Sequence, residues 1–117
     1  MGAEQEARSL ARRLVDERIA ACVNILGPIR SIYRWRDAVE DEAEFLLLIK
    51  TTSNLLKEAE QRISELHSYE VPELLVISPE RGSAPYLAWL LDATASKRGR
   101  AGSGAVRRRG SVNSRVP

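Results

Sequence analysis

Cysteine and histidine are almost missing from this sequence: Cys22 and His67 are the only examples of each. A single thiol excludes any disulfide within the chain and predicts a reduced, cytoplasmic setting. One Cys and one His cannot close a tetrahedral metal site inside one chain, and no finger-like spacing is present. Long apolar runs are also lacking. Runs such as residues 45–49 have the length of a strand, far below the roughly 20 residues of a membrane helix. No charged segment followed by an apolar stretch opens the sequence, so no signal peptide is expected. A glycine-rich phosphate loop, a dinucleotide fingerprint and a nucleophile turn beside His67 are all absent. The adjacent carboxylates Asp41 and Glu42 sit in a polar stretch and read as solvated surface. The sequence therefore does not read as an enzyme.

Acidic residues are missing from one end only. The formal net charge is +2, with 18 Lys and Arg against 16 Asp and Glu. Seven of those basic residues lie in residues 96–117, which contain no acid; subtraction leaves 11 basic and all 16 acidic residues in 1–95, a net charge of −5. The sequence pI of about 9.0 thus belongs to the tail. The body offers no electrostatic platform for nucleic acid. The tail, built from Gly, Ser and Arg, has little to bury and is expected to be disordered. Its run Arg107-Arg108-Arg109 leaves weak, nonspecific contact with nucleic acid or anionic lipid open.

What is present is one small domain over residues 1–95. Residues 4–20 show the spacing of an amphipathic helix, with Ala7, Leu10, Ala11, Leu14, Val15 and Ile19 on one stripe. Residues 21–35 switch to period two, interrupted at Gly27-Pro28. Val23 and Ile25 share one face, and Cys22 and Asn24 the other. Residues 36–42 read as a polar link in a hairpin, and 43–51 as a strand inside the sheet. Thr52 or Ser53 is placed to cap a helix running to His67. A loop through Pro72, a strand over 73–78 and a short helix from Pro85 complete the set. The order α, β, β, α, β, α fits an α+β domain with a split βαβ arrangement.

Five strings carry a family resemblance: Ala20-Ala21-Cys22-Val23-Asn24, Ser31-Ile32-Tyr33-Arg34-Trp35, Ile49-Lys50-Thr51, His67-Ser68-Tyr69-Glu70-Val71-Pro72-Glu73 and Tyr86-Leu87-Ala88-Trp89-Leu90. In this order and spacing, over residues 4–92, the sequence resembles the CutA family. The resemblance implies a ferredoxin-like fold and a tight homotrimer of PII-like shape. It also implies a role in tolerance of copper or other divalent cations. Two departures stand out. Ser68 replaces a common proline, and only Met1-Gly2-Ala3 precede the first helix, where the family has its first strand. That strand lies inside a ferredoxin-like sheet, and each buried unpaired backbone group costs about 1–3 kcal/mol. The expectation is that the two neighbouring strands lack a partner, and that the natural start lies upstream; the alternative is a degraded gene with an unstable product.

Three residues are candidate metal ligands. Cys22 supplies a soft sulfur suited to Cu(I) or Zn(II), or is simply a small buried side chain. His67 supplies an imidazole, or caps its helix as a positive ring against the dipole end. Glu73 supplies a carboxylate, or pairs with Lys50. If a metal binds specifically, neighbouring subunits must share its ligands or the site must be low-coordinate; a surface site of low affinity is equally compatible. Trp35, Lys50, Tyr69, Tyr86 and Trp89 are candidates for a ligand cleft or for subunit packing. The leading function is binding of copper or a similar cation by a homotrimer in metal tolerance. A PII-like sensor or scaffold for a small anion or a partner is the alternative. A nucleic-acid accessory acting through the tail comes third.

Overall fold

The apolar stripe of the first segment builds α1 (Glu4–Asp16), which buries Ala7, Leu10, Ala11 and Leu14. Its outer face carries the i,i+4 pairs Arg8–Glu4 and Arg12–Asp16. This computed structural model describes residues 3–67 and 73–95, and the backbone of 109–115. The helix stops earlier than its pattern suggests. Arg18 turns to φ 60°, and the N–H groups of Ile19 and Ala20 both return to the Leu14 carbonyl at 3.0 and 3.1 Å. Ile19 is buried through this turn and not through the helix, while Val15 is 39% exposed.

The two long strands β1 (Cys22–Trp35) and β2 (Ala38–Thr52) form an antiparallel hairpin. Hydropathy suggested a seven-residue polar link. The link is two residues, Arg36 and Asp37, with φ of 50° and 67°. Positive φ at both central positions matches the strand twist, as in a type I′ turn. Residues 38–44 are strand despite their charges because they pair with 29–35 along an arm. The molecule measures 49 × 27 × 21 Å, and a strand as long as β1 spans about 46 Å at roughly 3.3 Å per residue. Far from the helices, such an arm needs no apolar face. The predicted interruption at Gly27-Pro28 is a register irregularity between Leu26 and Ile29 and does not end the strand.

Near its root the hairpin becomes core. Leu47, Ile49 and Thr51 of β2 are fully buried, and Val23 and Ile25 of β1 pack against the same cluster. After β2 comes a 3-10 turn (Ser53–Leu55) and α2 (Leu56–Leu66), which contributes Ala59 and Ile63. The expected hydroxyl cap is not formed; the Thr52 hydroxyl bonds to Asn54 Oδ1 at 2.5 Å instead. Strand β3 (Glu73–Ile77) and α3 (Ala84–Ala93) follow, the latter with Pro85 in its first turn and Leu90 buried.

The tail supplies the main correction. Within the stretch expected to be disordered, Arg109–Arg115 forms β4; the rest of 96–117 lies outside the described residues. The sheet order is β1-β2-β4-β3. Residues 109–114 pair antiparallel with 47–52, and 111–115 pair antiparallel with 73–77. The two strands expected to lack a neighbour, β2 and β3, therefore have one between them. Among the described residues the domain is α+β and ferredoxin-like, with three α-helices and a four-stranded antiparallel sheet.

Candidate functional site

The alternation of β1 fixes where Cys22 sits. With Val23 and Ile25 turned to the helices, Cys22 and Asn24 fall on the opposite face. Cys22 lies directly across from Lys50 of β2. The Lys50 ammonium lies 4.0 Å from Cys22 Sγ and donates a hydrogen bond to Asn24 Oδ1. The Cys22 thiol lies 4.0 Å from the same amide oxygen. Cys22 and Lys50 are each half-buried, and Asn24 is exposed. Sulfur, amide oxygen and ammonium thus meet in one small cluster. Its sulfur is a soft ligand for a cation. Its ammonium suits an anion, and must swing aside before a cation can approach the sulfur.

The other predicted ligands are elsewhere. His67 follows α2 as its C-cap residue, and its backbone N–H donates to the Ile63 carbonyl at 2.8 Å. Only 8% of it is exposed. Burial pushes its pKa below the ordinary value, against the opposing pull of the Glu6 carboxylate. A neutral ring is therefore favoured, and the capping comes from the backbone, not from a positive imidazole. Glu73 opens β3 and is half-buried. Among the described residues no three His, Cys, Asp or Glu side chains converge where a metal ion could be held. Cys22, His67 and Glu73 therefore do not form one site within a chain.

The aromatic candidates also separate. Trp35 ends β1, with the Arg36 guanidinium 5.3 Å from its ring centre. Tyr86 and Trp89 face each other on α3 with ring centres 5.6 Å apart, and they are 42% and 47% exposed. Tyr69 lies outside the described residues. Sequence reasoning did not single out Asn24, though its position two residues after Cys22 on a strand already placed it on the same face. It also missed the junction of Glu17 with Arg62, whose guanidinium reaches the Glu17 carboxylate at 2.7 and 2.8 Å. No local pattern links residues that far apart.

A sequence model of the family described as CutA1 divalent ion tolerance protein matches residues 1–93. The chain is 44% identical over 91 residues to the divalent-cation tolerance protein CutA of Thermus thermophilus, covering 78% of this chain and 88% of that one. It is 40% identical over 93 residues to protein CutA of Homo sapiens, covering 80% of this chain but only 52% of the human protein. Among solved structures, the Thermus thermophilus Cut A1 protein superposes with a TM-score of 0.78 at 42% identity, covering 81% of this chain and 92% of that one. CutA1 from Oryza sativa gives 0.79 at 35% identity, covering 83% and 89%. The matched sequence and the shared fold both run through the hairpin and helices that position the Cys22 cluster, and the chain belongs to the CutA1 divalent ion tolerance family.

Proposed function

We propose that the protein acts in tolerance of divalent metal ions by binding copper or a similar cation as a homotrimer, with ligands shared between subunits. It does so without catalysing a reaction. The observation that carries this reading is the separation of the donors within one chain, together with apolar surface left uncovered. Ile32 is 68% exposed, Val39 62%, Leu75 55% and Ile77 56%. Exposed apolar side chains in such number, on the hairpin arm and on an edge strand, favour association. Association in turn brings copies of Cys22, His67 and Glu73 from different chains into reach of one another. The single thiol supports a cytoplasmic site of action, where it stays reduced.

One observation favours a second reading. The Lys50 ammonium beside Cys22 and Asn24 is a charge suited to a small anion, as in a PII-like sensor. Calorimetry with copper under reducing conditions separates the two. Under the first reading, copper binds and the affinity falls at least tenfold in Cys22→Ser or in His67→Ala. Copper binding that neither substitution changes removes these ligands. No copper binding, with inorganic phosphate bound by the unchanged chain and lost in Lys50→Ala, establishes the second reading instead.

A further inference from the structure

Strand β4 is in an unusual position for its composition. It runs Arg-Gly-Ser-Val-Asn-Ser-Arg over Arg109–Arg115, between β2 and β3. Gly, Asn and Ser are poor strand formers, and an interior glycine weakens a strand further. One β-branched residue, Val112, stands among seven. The strand beside it, β2, is deeply buried, with Leu47 and Ile49 at 0% exposure. Local preference therefore does not put this segment inside the sheet. What remains is the demand of its neighbours. Residues 47–50 of β2 pair with β1 along one edge, and the other edge of residues 47–52 takes residues 109–114. Among the described strands β3 joins the sheet only through β4. The gap between β2 and β3 is one strand wide, and both of its walls present main-chain donors and acceptors.

Charge adds direction. Residues 1–95 carry −5 and residues 96–117 carry +7. The register places residue 115, an arginine, opposite Glu73. The 13 residues from 96 to 108 span at most about 43–47 Å when extended, enough to cross a molecule whose shorter dimensions are 27 and 21 Å.

We propose that the gap between β2 and β3 is a strand-acceptor site, and that the C-terminal segment Arg109–Arg115 of the same chain is its ligand, held through main-chain pairing as an added strand. This is β-augmentation turned inward. The tail is a peptide ligand carried by the chain, and the site accepts the same peptide when it is supplied from outside. The inference does not rest on the metal reading, because the strand is held by main-chain pairing.

Two experiments on the full chain test it. In a Cys22→Ser background, Val76→Cys with Val112→Cys places cysteines at directly paired positions, whose Cα separation in an antiparallel ladder is about 4.5–5.5 Å and suits a disulfide. Mild oxidation is expected to give a disulfide within one chain, read as single-chain mass on a denaturing, non-reducing gel. A bond between two chains, or none, overturns the assignment. In the second experiment Val112→Pro removes a ladder donor. Hydrogen exchange at residues 47–52 and 73–77 is expected to speed up at least tenfold, while residues 22–26 stay protected by β2. A labelled peptide of residues 107–117 then binds the Val112→Pro chain and not the unchanged one. Unchanged exchange, or a peptide that binds neither chain, overturns the proposal. The disulfide test stands even if the proline variant does not fold.

Discussion

At the scale of single residues, one backbone position is strained for any side chain. Gly27 adopts φ +150°, and a Cβ there would lie 2.6 Å from Phe45 Cδ2 and 3.1 Å from the Glu44 carbonyl oxygen. Carbonyl and ring belong to the facing strand, which is held by pairing on both sides of the irregularity. Gly27→Ala is therefore expected to lower stability by about 1–3 kcal/mol. Urea unfolding with an unchanged m-value checks this; a variant as stable as the parent shows that the facing strand yields freely. Tyr33 behaves differently. Burial, followed by the nearby Glu42 carboxylate, pushes its hydroxyl up to about 12, so it remains a donor to Glu42 Oε2 at 3.3 Å.

Between elements, the junction of α1 with α2 sets an acid limit. Glu17 follows α1 as its C-cap residue and accepts from Arg62 of α2 and from Arg13. These bonds, Arg62 first, hold its carboxyl at about 2 against an ordinary 4.5. The folded value lies below the unfolded one. The contribution to stability is therefore complete above about pH 4.5 and is lost as the pH falls toward 2. Arg62→Met is expected to lower the melting temperature at pH 7 and to flatten its fall between pH 4.5 and 2. The partners are partly exposed, so the difference shrinks in high salt. Melting curves across that range at two salt concentrations measure it, and parallel curves for parent and variant would refute the assignment. The arm of the hairpin depends on its turn in a different way. Arg36 and Asp37 take up positive φ without a glycine, and the Arg36 guanidinium lies over the Trp35 ring just before the turn.

For the whole molecule, the proposed assembly is expected to use the hairpin arm. Val39 is 62% exposed and stands opposite Arg34 on β1. In Val39→Asp the new carboxylate faces that arginine, so the single chain keeps its fold. In an assembly that covers this surface, the same carboxylate is desolvated at a cost. Light scattering is expected to show a three-chain mass for the parent and a smaller mass for Val39→Asp, with circular dichroism unchanged. A parent of single-chain mass removes the shared-ligand reading of Cys22, His67 and Glu73. A trimeric Val39→Asp places the contact elsewhere.

By itself the sequence determined the helices with clear stripes, the alternating root of β1 and the apolar run of β2. The first two are periodic patterns that only one backbone geometry can bury, and the third reads as a strand from its short length and turn-like flanks. It also put Cys22 and Asn24 on one face, because period two follows from the strand alone. The tertiary structure decided what no local pattern carries. Residues 38–44 became strand because they face 29–35 on an arm with little to bury. Lys50 met Cys22 through a register set by a two-residue turn. Glu17 met Arg62 across two helices. The polar segment at 109–115 entered the sheet because buried backbone groups on β2 must be paired, whatever side chains the pairing strand bears.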